Sequence, residues 1–264
     1  MSIIDIHAHA FPQAIAARAI SKLESAGHWK AIGDGTVNGL IKSMDEANID
    51  LSVICPIATK PDQVEGIVAW CNEIRNDRIE PFASVHPDTP DAGGWVARFA
   101  REGFLGVKLH PMYQNFHTDE ARLDPIYAAL QEHGLALAMH CGRDIAFHED
   151  DDRAAPIRFR RIIDKFPRLK LICTHLGGWE SWDESVEHLV GQNVFLETSF
   201  SLTRLGPQRA VELIRKHGAD RVMFGSDWPW QSQKEDVVIL KRTGLTQQEL
   251  EKILWGNAAT LLKL

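Results

Sequence analysis

Eight short apolar runs, each followed by a stretch with helix signals, predict an α/β chain wound as a single, somewhat distorted (β/α)8 TIM barrel over residues 1–264. Three observations lead there. The runs recur at intervals of about 25–35 residues, the length of one strand–helix unit. Several are almost continuously apolar, as parallel strands covered on both faces must be. No repeat, low-complexity segment or linker divides the chain, and a barrel of this kind routinely uses about 250 residues as one domain. A doubly wound open sheet is the competing arrangement, because strand order cannot be read from sequence.

In chain order the expected strands are Ile3–His7, Ile49–Cys55, Ile79–His86, Phe104–His110, Leu135–His140, Leu169–His175, Asn193–Thr198 and Arg221–Asp227. A short helical insertion is expected after the first. Helix boundaries are marked between the later strands. Asp124-Pro125 reads as an N-cap followed by proline in the first turn, and Gly134 closes that helix. Thr246-Gln-Gln-Glu249 is a capping box ahead of Leu250, Ile253 and Leu254. Gly142–Pro156, with its His148-Glu-Asp-Asp-Asp152 run, reads as a loop after the fifth strand.

Composition narrows the function. With 44% apolar and 25% charged residues the chain has ordinary globular usage, enough to bury a core without staples. A net charge of −7 argues against a nucleic-acid surface, which wants a basic patch. No apolar run approaches the roughly 20 residues that cross a bilayer, and the N-terminus lacks a signal-peptide pattern. Cys55, Cys71, Cys141 and Cys173 are scattered and form no CxxC motif, so the expected compartment is a reducing cytoplasm. The expected partner is a small-molecule substrate, neither nucleic acid nor membrane. Homo-oligomerisation through the outer helices stays open.

The polar residues fall in a pattern. Asp5-x-His7-x-His9 ends the first strand, and a spacing of two should put all three side chains on one face. His140, His175 and Asp227 end the fifth, sixth and eighth strands. In a barrel those ends open on one side, where active sites of this fold lie. A lone strand-end histidine is more often structural than a ligand. Four such positions in this order point to a metal site instead: His7, His9, His140 and Asp227 suit a borderline divalent ion, leaving His175 to handle protons.

These residues carry a resemblance. Asp5-x-His7-x-His9, His140, His175-Leu-Gly-Gly178, Gly225-Ser-Asp227-Trp-Pro229, Gly103-Phe-Leu-Gly-Val-Lys-Leu-His-Pro111 and Trp255-Gly-Asn-Ala-Ala259 resemble the amidohydrolase superfamily. Within it they are similar to the amidohydrolase-related branch that includes aminocarboxymuconate-semialdehyde decarboxylase. The resemblance implies one divalent metal held by His7, His9, His140 and Asp227, with zinc first and manganese or iron(II) as alternatives. It implies Asp227 and His175 as the catalytic pair and Asp5 as an orienter behind the ligands. A second metal bridged through a carboxylated Lys108 is the less favoured form.

Lys108, Arg143, Trp179 and Trp228 are the candidate substrate contacts: two cations for a carboxylate and two rings for an apolar wall. Tyr113, His117, Trp182, Trp230 and Glu197 rank behind them. The leading function is a metal-dependent hydrolase in which a metal-activated water attacks the carbonyl of a small, optionally carboxylated amide, lactone or ester. The alternative is a non-oxidative decarboxylase or hydratase of an aromatic or unsaturated acid at the same site, a carboxy-lyase in the first case. A catalytically silent binding barrel is the third reading, and no replaced candidate ligand favours it.

Overall fold

The computed structural model describes residues 2–264. Its parallel strands are β1 (Ile4–Ala8), β2 (Leu51–Ile54), β3 (Ile79–Pro81), β4 (Gly106–Leu109), β5 (Ala136–Met139), β6 (Lys170–Cys173), β7 (Phe195–Glu197) and β8 (Val222–Met223). They form two sheets, β1-β2-β3 and β4 through β8. Backbone bonds close both seams. Lys108 N donates to Ala83 O at 2.8 Å between the third and fourth positions, and Ile6 N donates to Phe224 O at 2.9 Å between the last and the first. Strand order therefore follows chain order around a ring, which excludes the open doubly wound sheet.

Alternation along the strands separates two apolar layers. Ile4, Ile6, Val53, Phe82, Ala138, Ile172 and Met223 fill the lumen, with Leu261 and Leu262 of helix Asn257–Leu262 packed against them. Gly106 is glycine for steric reasons, since a Cβ there would lie 2.6 Å from the Phe82 ring. Val107, Leu109, Leu137, Met139 and Leu171 point outward and join Phe99, Tyr127 and Phe159 in the layer beneath the helices. Lys108 and His110 consequently point inward.

The expected helical insertion is present: Ala16–Gly27 precedes Val37–Ala47 between β1 and β2. The Thr246 capping box forms, with Thr246 N donating to Glu249 Oε2 at 2.7 Å. Residues 142–155 hold no helix or strand. Among the described residues, no helix is long and apolar enough to cross a membrane. All four cysteines are buried free thiols.

Two expectations need correction. The strands stop earlier than their apolar runs: Arg221–Asp227 shrinks to Val222–Met223, and His175 lies beyond β6 in the turn Thr174–Gly177. Apolar content reports burial, not pairing, and here the chain leaves the ladder so that His175 (φ 59°) and Asp227 (φ 63°) adopt left-handed backbone. The second correction concerns Asp5. In β1, Asp5 pairs with Ser52 but Ala8 with Ile54, three steps against two. That extra residue is a β-bulge, and it breaks the alternation that would have put Asp5, His7 and His9 on one face. Asp5 points away from them and accepts from Ser226 Oγ (2.5 Å) and from Gln233 Nε2 (2.7 Å) on helix Gln233–Lys241. Its Oδ1 also accepts from the His7 and Ser226 backbone N–H groups, so it braces the seam between the two ligand-bearing segments. Burial pushes its pKa up to about 6, against these hydrogen bonds.

Candidate metal centre

Past the bulge, His7 and His9 turn into the barrel mouth, where they meet Asp227. His7 Nε2 lies 3.1 Å from His9 Nε2 and 3.6 Å from Asp227 Oδ1, and His9 Nε2 lies 3.0 Å from the same oxygen. Asp227 Oδ1 is buried yet accepts no hydrogen bond. Burial alone would raise the Asp227 pKa; the His7 and His9 imidazoles outweigh it and hold the carboxyl well below its usual range. Burial, reinforced by the Lys108 ammonium, pulls the His7 pKa well down. An ionised oxygen without a donor therefore faces a neutral imidazole. The two imidazole nitrogens and this oxygen converge as a donor set that fits a divalent cation, with Lys108 Nζ also within reach of His7 Nε2.

The ring of His7 is fixed from behind. Its Nδ1 lies 3.1 Å from Glu197 Oε1, which also accepts from the His175 backbone N–H (2.9 Å) and from Ser199 Oγ (2.7 Å). A carboxylate on the far nitrogen sets the tautomer and leaves Nε2 as the presented lone pair. Lys108 is fully buried, with Nζ 3.0 Å from His7 Nε2.

His140 belongs to a neighbouring group. It stacks on His110 (centroids 4.3 Å, 17° between planes), and His110 Nε2 lies 3.2 Å from Asp144 Oδ2. His140 Nε2 meets the Arg143 carbonyl at 2.7 Å, and its Nδ1 meets His175 Nε2 at 3.1 Å. His175 Nδ1 in turn lies 2.8 Å from Ser199 Oγ. A continuous chain thus joins His140 to His7 through His175, Ser199 and Glu197. Burial pulls the His110 and His175 pKa values down to about 3. Burial would raise Asp144, but the hydrogen bond with His110 outweighs it and brings that carboxyl to about 2.

Above both groups opens a cavity of about 600 Å³, with His9, His110, His140, His175 and Asp227 at its polar end. Trp29, Trp70, Tyr113, Trp179, Phe200 and Trp230 supply aromatic wall. Of the expected substrate contacts, Trp179 lines the cavity, and its Nε1 is a buried donor with no partner. Lys108 sits beneath His7, and Arg143 is exposed, contributing its carbonyl to His140. Trp228 is buried against Gly33, where any Cβ would collide with its indole. His117 is off to one side with Glu120 (3.2 Å) and Asp152 (3.3 Å). Among the described residues, no lysine or arginine lines the cavity.

Some contributors carried little sequence signal. Asp144 lies in the aperiodic stretch after β5, so nothing in its neighbourhood announces its direction. Ser199 was within reach, because it stands two residues past Glu197, the spacing that repeats a strand face.

Comparison with known proteins identifies the family. The model of the amidohydrolase family matches residues 4–264. Gamma-resorcylate decarboxylase of a Polaromonas species is 30% identical over 122 residues, a match covering 39% of this chain and only 37% of that protein. The enzyme of the same name from Rhodococcus jostii is 24% identical, covering 85% of this chain and 86% of its own. Among solved structures, 5-carboxyvanillate decarboxylase of Novosphingobium aromaticivorans, complexed with manganese and a nitrobenzoic acid, shares the fold. It has a TM-score of 0.76 at 18% identity, over 100% of this chain and 96% of that one. With the family match running through every strand, this chain belongs to the amidohydrolase family and is an enzyme of that superfamily.

Proposed function

We propose that residues 1–264 act as one catalytic unit, a metal-dependent, non-oxidative decarboxylase of aromatic acids. This puts the carboxy-lyase reading ahead of the hydrolase favoured from sequence. One observation carries it: the unpartnered Asp227 oxygen, beside His7 and His9, faces a cavity walled by aromatic rings. The decarboxylase names of the matched relatives support it.

His7, His9 and Asp227 would hold the cation, with His140 as the adjoining imidazole and Glu197 setting the His7 tautomer. Zinc suits this donor set, and the manganese in the Novosphingobium aromaticivorans enzyme supports manganese equally. A bound divalent cation supplies the positive charge that neutralises and orients the carboxylate of the substrate, a charge that no lining lysine or arginine offers. The aromatic walls seat the ring and displace water. As the carbon–carbon bond breaks, carbon dioxide leaves and the electron pair stays on the ring carbon, which must take a proton. Asp227 is placed to relay it: ionised at rest, the carboxylate would take a proton from solvent on the oxygen that the cation leaves free, pass it to the ring carbon and end the turnover ionised again. His175, tied to Ser199, fixes His140 through its other nitrogen.

Hydrolysis of an uncharged lactone or ester is the second reading, and the same lack of a lining cation favours it. The test uses manganese-loaded protein in deuterium oxide with dihydroxybenzoates and, separately, with lactones in 18O-water. Carbon dioxide release with one deuterium at the vacated ring carbon is expected. Lactone opening with 18O uptake and no carbon dioxide from any acid would overturn the decarboxylase reading.

A further inference from the structure

The cavity is too long for one benzoate ring. Its wall on the β1 side includes Ile15, Ala19, Leu23 and Gly27, each four residues from the next along the insertion helix Ala16–Gly27 and its N-cap. Four-residue spacing is one helix face, so this stripe runs about 18 Å at 1.5 Å per residue. Gln63, Gly66, Ile67 and Trp70 of the segment entering helix Val64–Ile74 line the same cavity, again on one helical face. Both walls lie outside the histidine cluster, and no charged side chain from either helix enters the lining. At the rim, Ile15 and Ile145 are left 49% and 46% exposed, apolar surface that a bound molecule would cover. The groove is continuous with the metal-binding end, so its occupant is the molecule that reacts there.

We infer that the substrate is an aromatic acid bearing an elongated apolar substituent, an alkyl chain or a second ring. The substituent lies between helices Ala16–Gly27 and Val64–Ile74 while the carboxylated ring meets His9 and Asp227. This inference rests on the decarboxylase reading above. Its test is arranged so that the two can fail separately.

The binding arm uses the manganese-loaded protein and unreactive resorcinols carrying alkyl chains of zero, three, five and seven carbons, with Kd read from quenching of tryptophan fluorescence. Each buried methylene can tighten binding by about fourfold at most, and a gain of at least about 100-fold from resorcinol to the pentyl compound is expected. The turnover arm uses the corresponding dihydroxybenzoates. Gly66→Phe supplies the control on location: a Cβ there meets nothing within 4 Å, and glycine is the weaker helix former. In this variant the pentyl compound should lose at least about tenfold more affinity than resorcinol does. Kd values that stay flat with chain length, or an equal loss for both compounds in Gly66→Phe, overturn the inference, and decarboxylation of the acids then stands alone. Tightening with chain length and no carbon dioxide from any acid keeps the elongated ligand and removes the decarboxylase. Flat Kd values with a dimer by light scattering assign the groove to a second copy of the chain.

Discussion

Two groups of imidazoles and carboxylates share the barrel mouth, and they differ in what they leave unsatisfied. In the His110–His140–Asp144 group the carboxylate already faces an imidazole at 3.2 Å and His140 already meets a backbone carbonyl. In the His7–His9–Asp227 group an ionised oxygen lies 3.0 Å from an imidazole without a hydrogen bond, while Glu197 secures the His7 ring from behind. In each group the donor atoms lie close enough together to share one ion, as do those of His7, His175 and Glu197. Each group leaves one buried atom unpartnered, a ring nitrogen (His110 Nδ1) in the first and a carboxylate oxygen (Asp227 Oδ1) in the second, and the orphaned anion tells them apart. An orphaned neutral ring nitrogen gains little from a cation, whereas a buried, unpartnered carboxylate oxygen gains the removal of a desolvation penalty.

The largest expected effect breaks the open group. Asp227→Asn should lower decarboxylation by about 10³-fold or more, near the upper end of what one proton-transfer group contributes, and metal content should fall with it. Full metal retention by elemental analysis would confine Asp227 to carrying the proton. Metal addition sharpens the comparison further. Manganese at about 100 times its Kd should stabilise metal-free wild-type protein by about 2.7 kcal/mol, a rise in Tm of roughly 5–10 °C for a chain of this size. The same rise should survive His110→Ala and vanish in His7→Ala. A rise lost in His110→Ala and kept in His7→Ala would transfer the cation to the other group. Glu197→Gln should have a smaller effect, weakening metal affinity about 10- to 100-fold, the usual cost of removing a carboxylate behind a ligating histidine. Unchanged affinity would show that Glu197 serves the His175 turn and Ser199 and not the cation.

How far the sequence revealed these two groups follows from what periodicity encodes. Strand-end position located His7, His9 and Asp227, because inward-facing polar residues interrupt otherwise apolar runs. Strand-end position also made Lys108 a candidate substrate contact, yet it could not give depth, and Lys108 lies under His7 instead of in the cavity wall. Asp5 was misplaced for a different reason: the bulge is a property of β1 paired with β2, and no single strand's alternation records it. The companion group was less visible, since Asp144 comes from a segment without helix or strand. The alternation of strands and helices was legible because each element announces its own period and length, whereas ring closure, set by pairing between distant segments, was not, and the seam bonds of Lys108 and Ile6 decide it.

The smallest expected effect separates the two groups by pH in the metal-free protein. His110 titrates near 3 in the folded chain, because burial disfavours its charged form, against about 6.5 when unfolded. Between those values the unfolded chain binds a proton that the folded one does not. Stability therefore rises with pH across this window and is lost as pH falls through it. Asp144, depressed to about 2 in the folded state, contributes in a lower window: its stabilisation is present above about 3.8 and disappears as pH drops toward 2. Replacing His110 by Gln should consequently reduce the slope of unfolding free energy between pH 4 and 6 by about one proton, roughly 1.4 kcal/mol per pH unit. Asp144→Asn should leave the direct carboxylate contribution in that interval unchanged, while removing the anion that favours protonation of His110, so the His110 slope should persist or steepen. Urea titrations at pH 4, 5 and 6 measure the slope. Equal slopes for wild type and His110→Gln would mean that His110 is already protonated in the folded chain, and that the pair with Asp144 is an ion pair instead of a neutral imidazole beside a carboxylate.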